Sequence, residues 1–157
     1  MRKWLTVALM IIVAVRAEAA FAFTVSSPFG WRIHPISHRW EFHPGIDIPL
    51  KYGTPVLALF EGAVVWAGPY GGYGNTVILQ HRSQVFTLYG HCARVMVQRG
   101  QTVRAGERIG IVGSTGYSTG SHLHLGYWIN NRYVDPMLIW KKAQSHSAKR
   151  GLDTRRR

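Results

Sequence analysis

The chain has almost no cysteine. Cys92 is the single cysteine among 157 residues, so no disulfide can form within the chain even in an oxidising compartment. The length is enough for one domain with a real core and too small for two. Stability must therefore come from packing within one domain, with a metal ion as the remaining cross-link that the composition allows.

Long hydrophobic runs are also missing. The main apolar run, WLTVALMIIVAV at 4–15, has twelve residues and is short for a membrane-spanning helix. It follows the basic pair Arg2 and Lys3 and precedes two small-residue triplets, at 17–19 and 20–22, that are typical of cleavage sites. We predict a signal peptide over residues 1–22 and a periplasmic or secreted protein. An uncleaved membrane anchor is the less favoured alternative.

Acidic residues are scarce. Seven Asp and Glu stand against nineteen Lys and Arg, which gives a formal net charge of +12. Residues 141–157 hold seven Lys and Arg against one acidic residue, a net of +6, and few apolar residues, so we predict a disordered basic tail. Two interpretations stay open: an electrostatic tether to an anionic polymer or membrane surface, or a solvated tail that aids solubility. Nucleic acid is not expected as a partner, because a secreted protein seldom meets it.

Helical periodicity is absent after residue 22. Short apolar or alternating runs such as NTVILQH (75–81), VFTLYGH (85–91) and HLHLGYWI (122–129) are separated by glycine-rich turns. This spacing predicts an all-β, antiparallel sandwich or barrel-like single domain over residues 23–140. The segment 135–143 is a candidate for a short terminal helix.

The segment FHPGIDI (42–48) offers a histidine and a carboxylate. Proline and glycine argue against a helix, and in an extended chain His43, Gly45 and Asp47 face one side while Ile46 and Ile48 face the core. Neutral imidazole and carboxylate are good zinc ligands, and Gly45 leaves room between them. Taken alone, the segment favours a loop histidine beside an exposed aspartate over a metal site.

A second pair of histidines lies in HLHLG (122–126). On a strand, His122 and His124 share one face while Leu123 and Leu125 enter the core. Both imidazoles can reach one cleft, but the spacing alone does not show that they bind the same metal.

Another histidine, His91, lies at the end of a strand in LYGHC (88–92). It could act as a general base or stabilise an oxyanion, although a lone histidine there is more often structural. We interpret the adjoining Cys92 as a small buried thiol rather than a nucleophile paired with His91. His34 and His38 are interpreted as surface-loop residues, although they could line a groove.

Five motifs, taken in order, resemble the lysostaphin-type, LytM-like zinc endopeptidases of metallopeptidase family twenty-three. They are FGWRIHP (29–35), HPGIDI (43–48), YGH (89–91), the long segment 97–125 and VDP (134–136). The resemblance covers roughly residues 28–140 and implies a fold of the duplicated hybrid motif type. It implies one zinc ion held by His43, Asp47 and His124, with His91 and His122 as catalytic residues that do not bind the metal.

The resemblance also implies an activity. Members of this family cut the peptide part of bacterial peptidoglycan, so we expect a zinc endopeptidase whose partner is peptidoglycan and whose target is the D-alanyl–diaminopimelate cross-link. Three protein ligands would leave the fourth position of a tetrahedral site free for water, as catalysis requires. The alternative is a catalytically inactive relative that binds and activates another cell-wall hydrolase.

Overall fold

The computed structural model describes residues 24–139, and within that range the chain is built from strands and short turns. A single 3₁₀ turn covers Gly71–Tyr73, and a helical turn covers 136–139, where the described residues end. The strands, in chain order, are β1 (Gly30–Ile33), β2 (Trp40–His43), β3 (Gly45–Pro49), β4 (Pro55–Leu57), β5 (Gly62–Pro69), β6 (Asn75–Arg82), β7 (Val85–Val95), β8 (Thr102–Val103), β9 (Arg108–Val112), β10 (His122–Ile129) and β11 (Arg132–Tyr133).

The prediction of an all-β, antiparallel domain is confirmed. Nine strands form one sheet whose main order is β11-β10-β7-β6-β5-β8, with β3 paired to β10, β9 paired to β7 and β4 paired to β9. Within residues 24–139 the terminal strands β11 and β8 do not pair with each other, so this sheet is not a closed barrel. Strands β1 and β2 form a separate two-stranded ribbon.

The core lies along the apolar faces of these strands. Ile46 and Ile48 of β3 are buried there, as are Leu123 and Leu125 of β10, and Cys92 of β7 is fully buried with them. Each such aliphatic side chain contributes about 1.5–3 kcal/mol by leaving water. The period-two alternation that predicted these orientations is therefore confirmed on both strands, and it leaves the intervening polar residues on the opposite face.

No helix within residues 24–139 has the length and hydrophobicity needed to cross a bilayer. The predicted signal peptide over 1–22 and the basic tail over 141–157 lie outside the described residues.

Candidate metal centre and active site

A groove contains all five of the residues that the sequence singled out. It is bounded by the β1–β2 ribbon, the segment around Tyr73, the loop at 117–119 and strand β10. The five residues are His43, Asp47, His91, His122 and His124.

The register of the sheet explains why residues so far apart in sequence meet. Strand β10 lies between β3 and β7, and its His124 is paired across the ladder with Asp47 on one side and Gly90 on the other. His43 ends β2, and the single residue Pro44 separates β2 from β3. His43 therefore lies close to Asp47 of β3. One strand therefore aligns ligand candidates from both ends of the chain.

Three donor atoms converge at the bottom of this groove. Oδ1 of Asp47 lies 2.9 Å from Nδ1 of His124 and 3.2 Å from Nε2 of His43, and the two imidazole nitrogens are 3.1 Å apart. Ligand bonds of about 2.0–2.2 Å in a tetrahedral site place donor atoms about 3.3–3.6 Å apart. The observed separations are close to that, and the three residues can hold one metal ion.

The protonation of His43 is fixed by its environment. Its Nδ1 lies 2.8 Å from the carbonyl oxygen of Pro28, which can only accept a hydrogen bond. Nδ1 must therefore carry the proton, and a neutral His43 presents the lone pair of Nε2 to Asp47 and His124. Nε2 of His43 and Oδ1 of Asp47 are therefore both acceptors that face each other. At most one proton, on Nδ1 of His124, is available to both of them. A cation would satisfy all three atoms at once.

Burial and the contacts between the three residues together set the charges of this cluster. Burial raises the pKa of Asp47, but hydrogen bonds and positive charge from His124 and His43 outweigh that effect, so the pKa ends well below its usual range. Burial lowers the pKa of His124 to about 4, and the nearby Asp47 offsets only part of that shift. The resting cluster is therefore a carboxylate beside neutral imidazole, which is the state that binds a metal.

His91 and His122 form a second pair beside the cluster, with their ring centres 4.6 Å apart. Nδ1 of His91 donates to the carbonyl oxygen of Thr115 at 2.8 Å, and Nδ1 of His122 donates to that of Gly120 at 2.8 Å. In the neutral state each ring therefore keeps an unprotonated Nε2, and that of His122 is 3.7 Å from Oδ1 of Asp47. Burial lowers the pKa of His91, which favours the neutral, proton-accepting form.

The structure also brings residues to the groove to which the sequence assigned no role in the metal or catalytic set. The ring of Tyr73 lies 5.0 Å from that of His124, and His34, expected on a surface loop, stacks on Tyr117 in the groove wall. Arg32 lies 3.6 Å from Asp47. Their positions depend on loops and on the ribbon, whose approach to the sheet has no periodic signal in the sequence.

Cys92 takes no part in this site. It is fully buried in the core, and burial raises the pKa of its thiol to about 11. A thiol held neutral and away from the groove is a poor nucleophile.

A family comparison fits this geometry. Residues 41–136 match the model of peptidase family M23, which covers more than half of the chain, and the protein belongs to that family. The chain is 49% identical over 115 residues to the DD-carboxypeptidase/endopeptidase Mpg of Neisseria meningitidis, a match that covers 73% of this chain and 26% of the relative. It thus spans about a quarter of the length of that relative.

Solved structures agree on the fold. The catalytic domain of lysostaphin from Staphylococcus simulans superposes with a TM-score of 0.70 at 34% identity, covering 76% of this chain and 92% of that domain. A zinc-containing peptidase from Vibrio cholerae gives a TM-score of 0.67 at 34% identity, covering 72% of this chain and 35% of the other.

Gly45 provides a test of how tightly the cluster is packed. A Cβ at this position would collide with the carbonyl oxygen of Leu125 and lie 2.7 Å from the His124 ring. The sequence predicted that Gly45 leaves room between His43 and Asp47. In the structure the space where its side chain would lie is occupied by the ring of His124 on the paired strand. We expect Gly45→Ala to displace the ring and weaken metal binding at least tenfold in a competition titration, with a lower melting temperature.

Gly120→Ala is the matched control, because a Cβ there would meet no atom within 4 Å. An unchanged metal affinity in Gly45→Ala would contradict the packing argument.

The buried imidazoles also predict a pH dependence of stability in the metal-free chain. His124 has a pKa of about 4 when folded and about 6.5 when unfolded, so the unfolded state binds more protons between these values. The free energy of unfolding should be highest above pH 6.5 and should decrease as the pH is lowered. His124 alone should lower it by about 1 kcal/mol between pH 6 and pH 5. Urea unfolding after chelation measures this slope, and His124→Gln should flatten it. Equal slopes in both proteins would refute the assignment.

Proposed function

We propose that this protein is a zinc endopeptidase that hydrolyses peptide cross-links of peptidoglycan, with the D-alanyl–diaminopimelate bond as its target. The observation that carries the proposal is the convergence of three donor atoms, within 3.2 Å of one another, beside two further histidines in one groove. A purely structural metal site would have no use for the second pair, whose Nε2 atoms are free to accept protons.

The comparisons support the choice of reaction and substrate. Mpg is named as a DD-carboxypeptidase/endopeptidase, and the Vibrio cholerae neighbour is described as a zinc-containing peptidase. The chain also matches 92% of the catalytic domain of lysostaphin, which supports a segment with the extent of a catalytic domain.

In the proposed mechanism His43, Asp47 and His124 would hold zinc, with Nε2, Oδ1 and Nδ1 as the converging donor atoms. When bound, zinc supplies a Lewis acid that polarises a carbonyl group and makes water more acidic. His91 or His122 accepts a proton from the attacking water at Nε2, because Nδ1 of each ring is already committed to a backbone carbonyl. The protonated ring then donates to the oxyanion or to the leaving amine.

The two histidines of HLHLG are expected to have different roles. His124→Ala should lose both zinc and cleavage, because a donor atom is removed. His122→Ala should keep about one zinc per chain and lose about 10²–10⁴-fold in rate, which is the usual contribution of a proton-transfer group. Metal analysis of the purified variants and fragment analysis of digested sacculi measure both quantities.

His38→Ala is the control, since His38 is exposed and does not line the groove. Equal cleavage by wild type and His124→Ala would refute the enzymatic proposal. Zinc binding without any cleavage by the wild type would instead favour an activator of another cell-wall hydrolase.

The proposed substrate sets the location of the protein. Peptidoglycan lies outside the inner membrane, so the proposal includes the signal peptide over 1–22, the peptidase domain over 23–140 and periplasmic or secreted action. It also includes contact of the basic tail over 141–157 with an anionic polymer or membrane surface, since seven Lys and Arg oppose one acidic residue there.

Removal of residues 141–157 tests the tail. We expect weaker pelleting with sacculi or anionic vesicles at low salt, and a loss of the steep salt dependence shown by the intact chain. The rate of cleavage of a small soluble cross-linked peptide should not change, since the domain is intact. Identical pelleting of the two proteins would show that the tail serves solubility only.

A further inference from the structure

One cationic side chain lies beside the candidate metal centre and has no role in the mechanism above. In the β1–β2 ribbon Trp31 and Ile33 are exposed on the outer face, while the intervening Arg32 points into the groove opposite Glu41. Among the described residues that line the groove, Arg32 is the only arginine or lysine.

The guanidinium of Arg32 is only partly satisfied. Its Nη2 lies 3.6 Å from Oδ2 of Asp47, an ion pair longer than a hydrogen bond. Its Nε is buried and has no hydrogen-bond partner among residues 24–139. Glu41, its cross-strand partner, does not fill that need: within residues 24–139 the ion pair of Arg32 is with Asp47, and Oε1 of Glu41 accepts from the hydroxyl of Ser37. A buried guanidinium with unused donors is prepared to receive another acceptor.

The two oxygens of Asp47 divide the site. Oδ1 faces His43 and His124, on the side of the metal, whereas Oδ2 faces Arg32. A group bound by Arg32 would therefore lie across the Asp47 carboxylate from the three converging donor atoms. The ligand that best fits a planar, partly buried guanidinium is another carboxylate, which it can bind through two parallel hydrogen bonds.

The proposed substrate carries a carboxylate at the required place. In a D-alanyl–diaminopimelate cross-link, the carbon that bears the acylated nitrogen also bears a free carboxylate, whose carbon lies about 2.5 Å from that nitrogen. We propose that Arg32 binds this carboxylate and thereby selects cross-links that have a carboxylate next to the cleaved bond. A glycine bridge has hydrogen at that position and gives Arg32 nothing to bind. This inference rests on the proposed function and specifies its substrate.

Two matched substrates test the proposal: a purified cross-linked muropeptide with the free carboxylate, and the same compound with that carboxylate amidated. The zinc-loaded full chain should cleave the free acid with a kcat/KM at least about tenfold higher, because the amide leaves the guanidinium unpaired. Arg32→Gln should lose this preference mainly through a higher KM for the free acid, and the amidated compound should be little affected. Arg32→Lys should recover part of the preference, as a point charge without the fork.

Arg39→Gln is the control, because Arg39 is exposed and does not line the groove. The zinc content of each variant distinguishes substrate recognition by Arg32 from a role in holding Asp47 in place as a metal ligand. Loss of zinc in Arg32→Gln would overturn the proposal in favour of that structural role. An equal fall in kcat/KM for both substrates in Arg32→Gln would also overturn it. So would a wild type that shows no preference for the free acid.

Binding of the two muropeptides, measured by calorimetry, distinguishes this inference from the proposed function. Carboxylate-dependent binding that Arg32→Gln removes, in a zinc-loaded chain that cleaves neither compound, would support the assignment of Arg32 while refuting the enzymatic proposal. Equal binding of both compounds would refute the assignment of Arg32 whatever the turnover.

Discussion

The ladder between β3 and β10 is the constraint on which the site depends. It sets Asp47 opposite His124 and Ile46 opposite Leu125, so one register serves both the polar groove and the apolar core. A slip of one residue would exchange the two faces of a strand and move its polar residues into the core. Core packing therefore fixes the position of the donor atoms, and the ligand geometry follows from hydrophobic burial rather than from local loop structure.

This arrangement concentrates unshared electron pairs in one groove. In His43, His91 and His122 the Nδ1–H group donates a hydrogen bond to a backbone carbonyl oxygen. The unprotonated Nε2 of each ring therefore faces the groove. A metal ion bound to the folded chain would stabilise it by mass action, because the unfolded chain cannot assemble the same donors. Folding and metal binding are thus coupled in the proposed enzyme.

Much of this could be predicted from alternation alone. Period two placed Ile46, Ile48, Leu123 and Leu125 in the core and the intervening polar residues on the other face, which the structure confirms. What alternation cannot encode is which strands are neighbours, so the spacing of the histidines did not reveal that β10 lies between β3 and β7. The roles assigned to the five residues came from the family resemblance and remain predictions for the experiments above.

Arg32 shows the other limit of sequence reasoning. It belongs to the motif FGWRIHP, but its approach to Asp47 depends on how a separate ribbon folds over the sheet, and that depends on long-range packing. His34 lies in the turn between β1 and β2 and lines the groove, which was the less favoured of the two predicted positions, for the same reason. Irregular connections carry no period, and their side chains can be located only once the sheet beneath them is known.

His91 has a φ of 60°, in the left-handed region that a side chain with Cβ occupies at a cost of about 1–3 kcal/mol. It lies on β7 between Tyr89 and Cys92, where the pairing with β6 shifts register, so the ladder is irregular at the residue proposed to accept a proton. Glycine would relieve the strain and abolish the imidazole. At this position selection for a durable fold and selection for turnover act in opposite directions, and a screen that rewards heat resistance alone would be drawn toward inactive variants.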